Sequence, residues 1–140
     1  MELKYWEIEI DGTDRVGKDT LLQYLCKLSG YRFSINPRGL LSQLVYTEKF
    51  GRDYTFDLSG YSKNKVIIWL YADKEDLEIR CKLTNEPSYT IIEDTNLFDK
   101  VYHKLEQEGY NVMKYNTSEM TPYGIAKDVL DKINKMEENK

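Results

Sequence analysis

A glycine and lysine pattern near the amino terminus constrains this chain more than any other feature. Gly12 is followed, after four residues, by Gly17 and Lys18. Two glycines let the backbone curl so that successive N–H groups point at one anion. A helix that starts there adds its unpaired N–H groups and the positive end of its dipole. The pattern therefore predicts a phosphate-binding loop, with Lys18 reaching the terminal phosphates of a nucleotide.

The two residues after the lysine depart from the usual form of this loop. Asp19 stands where Ser or Thr would bind Mg²⁺, and Thr20 comes one place later. Thr20 is expected to hydrogen-bond an α- or β-phosphate. Two interpretations of Asp19 stay open. Either it holds Mg²⁺ through water, or it points outward as an acidic residue in the first helical turn.

Apolar strand patterns alternate with helical patterns along the whole chain. Strands are predicted at residues 3–10, 31–35, 66–71 and 110–115, and helices at 18–28, 40–50, 74–83, 93–108 and from 121 or 122 onward. This alternation predicts a three-layer α/β fold, with a parallel sheet of about four strands and helices on both faces. A ligand is expected beyond the carboxyl ends of the strands, where the loop lies. Glu7 and Glu9 interrupt the first strand and should face either the site or an uncovered part of the sheet.

Composition excludes several classes of function. The chain has 140 residues, which favours one domain, and a net charge of -4, which argues against binding to nucleic acid or a membrane surface. It has no apolar run long enough to span a membrane. Cys26 and Cys81 form no C-x-x-C motif and are expected to be reduced thiols of a cytoplasmic protein. His103 is the sole histidine and is expected on a helix surface, so no zinc site is predicted.

Four stretches of the chain together resemble the thymidylate-kinase-like branch of the P-loop nucleoside and nucleotide kinases. The matching stretches are the loop at 11–20, Pro37-Arg38-Gly39 followed by Ser42 and Tyr46, the strand and helix at 66–78, and residues 114–118. Short phage deoxynucleotide kinases also use a Gly-Lys-Asp-Thr loop. The resemblance implies that residues 1–140 form a single P-loop kinase-like domain.

The resemblance also implies roles for individual residues. ATP would be bound by the loop, Gly12, Thr13, Asp14, Arg15, Val16, Gly17, Lys18, Asp19 and Thr20. Catalysis would rest on Arg15, Lys18 and Asp11, because this subtype carries its catalytic arginine in the loop and the segment at 80–89 has no arginine pair. The acceptor would be bound by Asp14, Arg38, Ser42, Tyr46 and Arg52, and Mg²⁺ by Asp19 or Asp11. The less specific interpretations remain open: Asp11 as a strand-end turn residue, Arg15 and Arg38 as solvated charges, and Tyr46 as a core residue.

The function implied is transfer of a phosphoryl group from ATP, with Mg²⁺, to a nucleoside monophosphate, most simply a deoxynucleotide such as dTMP. A deoxynucleoside acceptor is the near alternative. The chain is short for the family, and Pro37 replaces the acid of the family's Asp-Arg pair. These departures motivate a second alternative, a reduced nucleotide-binding protein with little or no catalysis. A homodimer is an open expectation.

Overall fold

The computed structural model describes residues 5, 7–13, 16–51, 62–85, 87 and 89–138. Within them lie the strands β1 (Glu7–Asp11), β2 (Ser34–Asn36), β3 (Lys65–Tyr71) and β4 (Asn111–Asn116). The helices are α1 (Lys18–Ser29), α2 (Leu40–Lys49), α3 (Lys74–Leu83), α4 (Tyr89–Gln107) and α5 (Pro122–Glu138). No helix among these residues is both long and apolar enough to cross a membrane. Cys26 and Cys81 are free thiols.

The four strands form one parallel sheet in the order β2-β1-β3-β4. Asp11, the last residue of β1, pairs with Trp69 of β3. The carboxyl ends of the strands therefore meet at one edge of the sheet, where the loop after β1 begins. The predicted α/β fold with four parallel strands is confirmed.

Helices cover both faces of the sheet, and the alternation of side chains along each strand decides which face receives which residue. One core packs α1 and α5 against the sheet and includes Ile8 and Ile10 of β1. The other packs α2 and α4 against the opposite face and includes Ile67 and Trp69 of β3, with Phe98 of α4 fully buried. The other side chains of β1, those of Glu7, Glu9 and Asp11, are acidic. By this alternation they face the side of the sheet that α2 and α4 cover.

Two glycines set the bounds of α1. Gly17 precedes the helix with φ 90, and Gly30 follows it with φ 68 and donates its N–H to the Lys27 carbonyl. Both values lie in the left-handed region that glycine adopts without steric cost. The structure thus confirms the predicted start of α1 at Lys18 and its termination by Gly30.

Candidate functional site

The predicted phosphate loop lies between the end of β1 and the start of α1. Gly12 packs so closely on β3 that a Cβ at this position would lie 2.4 Å from the Leu70 carbonyl oxygen. This close approach explains why glycine is required at the first position of the loop. Thr13 and Val16 are buried, and the Val16 side chain belongs to the core, so Val16 could contact an anion only through its backbone.

The start of α1 is where the sequence predicts that an anion binds. Gly17 cannot cap the helix with a side chain, and no side-chain cap hydrogen bond is present. Lys18 Nζ donates to the carbonyl oxygens of Gly12, at 2.7 Å, and Thr13, at 3.3 Å, which holds the ammonium group over the loop. Asp19 and Thr20 are exposed in the first turn. The structure thus brings Gly12, Thr13 and Lys18 together, whereas Asp14 and Arg15 lie outside the described residues.

Asp11, the last residue of β1, connects this strand to the start of α2 through hydrogen bonds. It is fully buried, and its Oδ1 accepts hydrogen bonds from the Gly39 N–H, at 3.0 Å, and from Ser42 Oγ. Its Oδ2 is buried without a hydrogen-bond partner among the residues that the structure describes. Burial raises the pKa of Asp11 above the ordinary carboxyl value, and the hydrogen bonds from Ser42 and Gly39 offset part of that rise. Nearby Glu9 raises it further.

The oxygen donors near the loop are chemically suited to Mg²⁺. This ion usually binds one or two protein carboxylates together with substrate phosphates. Asp19 offers an exposed carboxylate next to Lys18, and Asp11 offers the unpartnered Oδ2. In the described part of the chain, no three His, Cys, Asp or Glu residues cluster as a metal site. The assignment of Mg²⁺ to Asp19 or Asp11 therefore stays a prediction that depends on a bound nucleotide.

A pocket of about 490 Å³ lies beside α2. It is lined by the predicted acceptor residues Arg38, Ser42 and Tyr46, and also by Glu9, Gly39, Leu40, Gln43, Thr47, Phe50 and Lys65. Ser42 therefore lines the pocket while it donates to Asp11. Arg52, the remaining predicted acceptor residue, lies outside the described residues.

Tyr46 has two roles in this arrangement. Its ring stacks on Phe50 at 6.5 Å and meets Phe98 edge-on at 6.3 Å, so it belongs partly to the packing between α2 and α4. It also lines the pocket. The core interpretation and the binding interpretation of Tyr46 are therefore compatible, because one face of the ring packs while the side chain still borders the cavity.

Glu9 and Lys65 are pocket residues to which sequence reasoning assigned no role. Lys65 Nζ donates to Glu9 Oε2 at 3.0 Å, and Glu9 Oε1 accepts the N–H of Leu40 at 2.9 Å. The signal that could have revealed Glu9 is its acidic side chain in the middle of a central parallel strand. Of the two expectations for this residue, the structure supports orientation toward the site.

Comparison with known proteins shows the fold. No protein-family model matches the chain, and no curated protein matches it in sequence. A crystal structure of the YorR protein from Bacillus subtilis, in complex with phosphorylated GDP, superposes with a TM-score of 0.73 at 18% identity. The match covers 91% of this chain and 95% of YorR. The chain therefore has the α/β fold of a protein that was crystallised with a nucleotide.

Proposed function

We propose that this protein is a single-domain kinase that transfers the γ-phosphoryl group of ATP to a nucleoside monophosphate, with a deoxynucleotide such as dTMP as acceptor. The observation that carries the proposal is the contact of Asp11 with Gly39 and Ser42. This contact holds α2, and the pocket beside it, against the strand that leads into the glycine-containing loop, so an acceptor in the pocket would lie near a phosphate donor in the loop. A donor site and an acceptor pocket joined in this way suit transfer between two ligands.

Phosphoryl transfer needs positioning and charge neutralisation more than covalent help from the protein. In the proposed reaction, an acceptor phosphate oxygen forms a bond to the γ-phosphorus, the bond to the β–γ bridging oxygen breaks, and ADP leaves. Lys18 would bind between the β- and γ-phosphates, and Arg15 would contact the transferred group through its planar guanidinium. Arg38 would hold the acceptor phosphate. Mg²⁺, held by Asp19 or Asp11 with the phosphates, would neutralise charge that develops on the phosphate oxygens.

A deoxynucleoside acceptor is the second candidate, and the environment of the Asp11 carboxylate favours it. A hydroxyl acceptor must lose a proton as its oxygen attacks phosphorus, and a carboxylate with a raised pKa is a suitable base. Burial raises the pKa of Asp11, and its Oδ2 has no hydrogen-bond partner among the described residues. Asp11 would then accept the proton of the attacking hydroxyl.

The crystallisation of YorR with phosphorylated GDP supports a nucleotide ligand for the same fold. A kinase of this kind would work in the cytoplasm, and a homodimer remains compatible with it. The alternative, a reduced nucleotide-binding protein without catalysis, makes a different prediction: the protein should bind ATP but should not bind any acceptor.

A coupled assay of ADP release, over a panel of nucleosides and nucleoside monophosphates, tests the proposal. Turnover with a monophosphate supports the first candidate, and turnover with nucleosides alone supports the second. Well-folded protein that binds ATP in calorimetry, yet turns over none of the panel, would eliminate both candidates.

A further inference from the structure

An ion pair is buried in the wall of the pocket beside α2. Lys65 Nζ and Glu9 Oε2 lie 3.0 Å apart, and the two side chains are 8% and 12% exposed. A buried ion pair is weak evidence for stability, because desolvation offsets its attraction. Its location gives it a more specific role, since both residues line the same cavity as Arg38 and Ser42.

The second carboxylate oxygen of Glu9, which does not contact Lys65 Nζ in this ion pair, is directed at the first turn of α2. Glu9 Oε1 accepts the backbone N–H of Leu40 at 2.9 Å, while Asp11 Oδ1 accepts the preceding N–H, that of Gly39. The first N–H groups of a helix have no partner inside the helix. Two carboxylates of β1 thus satisfy two consecutive N–H groups, and they fix the start of α2 over the strand.

Gly39 is shaped by the same contact. A Cβ at this position would lie 2.1 Å from Glu9 Oε1, closer than side-chain atoms approach. The backbone of Gly39 is extended, at φ -152, so glycine is not required there for its conformation. A side chain at this position would instead have to displace the Glu9 carboxylate, which occupies its space.

We propose that Glu9, oriented by Lys65, is a positioning residue for the acceptor. It fixes the first turn of α2, and with it the backbone that carries Arg38 and Ser42 toward the acceptor. Lys65 holds one carboxylate oxygen so that the other stays directed at Leu40. This inference rests on the proposed function, because it assigns the pocket to the acceptor of phosphoryl transfer.

A pair of double variants separates positioning from general stability. Both remove the ion pair, but E9Q/K65M keeps an oxygen that can accept the Leu40 N–H, whereas E9M/K65M has none. Small misplacements of binding groups weaken transfer strongly, so the acceptor KM should be about ten-fold or more higher in E9M/K65M than in E9Q/K65M. The KM for ATP should agree within about two-fold, because α1 and the phosphate loop are unchanged.

Two further variants guard this comparison. Gly39→Ala displaces the Glu9 carboxylate without altering a charge, and it should raise the acceptor KM selectively even if E9M/K65M fails to fold. Asp94→Asn breaks a partly buried ion pair, Lys49–Asp94, which joins the other end of α2 to α4. It should leave both KM values unchanged. Equal acceptor KM in the two double variants, or a parallel rise in the KM for ATP, would overturn the inference.

The inference and the proposed function can fail separately. If the wild-type protein shows no transfer, the proposed function fails. The positioning role is then tested by calorimetric titration of the wild type and of both double variants with dTMP. Affinity about ten-fold weaker in E9M/K65M than in E9Q/K65M would uphold it. Equal affinity, or no dTMP binding to the wild-type protein, would overturn it.

Discussion

Removal of the Ser42 hydroxyl group should show how much its hydrogen bond to Asp11, which joins α2 to β1, contributes to the free energy of unfolding. Ser42 is buried, and its Oγ donates to the fully buried carboxylate of Asp11. Hydrogen bonds to charged groups contribute about 1.5–3 kcal/mol to stability. Ser42→Ala should therefore lower the free energy of unfolding by about 2 kcal/mol, since Asp11 loses the hydroxyl donor and keeps only its hydrogen bonds from the backbone of Gly39 and Ser42. With a urea slope of about 2 kcal/mol per M, the unfolding midpoint should fall by about 1 M.

The cost of Ser42→Ala should depend on pH. The folded-state pKa of Asp11 is raised, so its ionisation makes folding less favourable as pH rises from the unfolded value of 3.8 toward the folded one. Loss of the Ser42 donor raises the folded pKa of Asp11 further. The stability difference between wild type and Ser42→Ala should therefore be smallest near about pH 4 and larger near about pH 8.

Ser29→Ala is a matched control for urea unfolding at both pH values. Ser29 is also buried, but its Oγ donates to the neutral carbonyl of Cys26 at 3.2 Å. Its loss should cost about 0.5–1.5 kcal/mol at either pH. A Ser42→Ala cost that is independent of pH, or no larger than that of Ser29→Ala, would refute the account of the Asp11 contact.

Three further predictions concern the loop, a hydrogen bond outside the site and the core. Lys18→Met should lower the turnover number by about 10²-fold or more while circular dichroism stays that of the wild type, because the proposed site would lose one cation that stabilises the transition state. Tyr115→Phe removes a 2.6 Å hydrogen bond to Asp128 that holds the pKa of this carboxyl below its ordinary value. The stabilisation of the ionised Asp128 carboxylate is present at pH values above its unfolded pKa, and it is lost as pH falls through its folded pKa. In thermal unfolding, the variant should therefore be less stable than wild type at neutral pH, and the two proteins should have the same stability below about pH 3. Phe98→Ala should lower the free energy of unfolding by about 3–5 kcal/mol in urea titration, because its fully buried ring packs between α2 and α4.

The order of elements could be predicted because each helix and strand carries its own periodic pattern. The bounds of α3, Lys74–Leu83, match the prediction, with Asp73 at the N-cap position. The Asp73 side chain, however, accepts from Asn116 Nδ2 at 2.9 Å and makes no cap hydrogen bond. The loop spacing correctly indicated the start of α1 at Lys18.

Other bounds depend on interactions that local patterns do not contain. Tyr31 was predicted to start the second strand, but it has φ 62 and donates its N–H to the Cys26 carbonyl at the end of α1. The strand therefore begins at Ser34. Helix α4 begins at Tyr89 and not at Glu93, although its first turn is rich in β-branched residues, because Ile91 packs against the core. Tertiary packing overrides the weak helix propensity there.

The buried part of the site was least accessible to sequence reasoning. Glu9 and Lys65 are 56 residues apart in the chain, and neither fits a motif. Only the parallel pairing of β1 with β3 brings their side chains together. The acid in a central strand marked Glu9 as unusual, but its partner and its contact with Leu40 follow from the fold alone.

The most direct test of phosphoryl transfer is to follow the γ-phosphoryl group itself. Wild-type protein incubated with γ-labelled ATP, Mg²⁺ and dTMP should move the label into the acceptor, with one ADP formed for each labelled product, and Lys18→Met should slow the transfer by about 10²-fold or more. Label that stays in ATP, or that appears only as free phosphate at a rate independent of the acceptor, would contradict the assignment of donor loop and acceptor pocket to one kinase site.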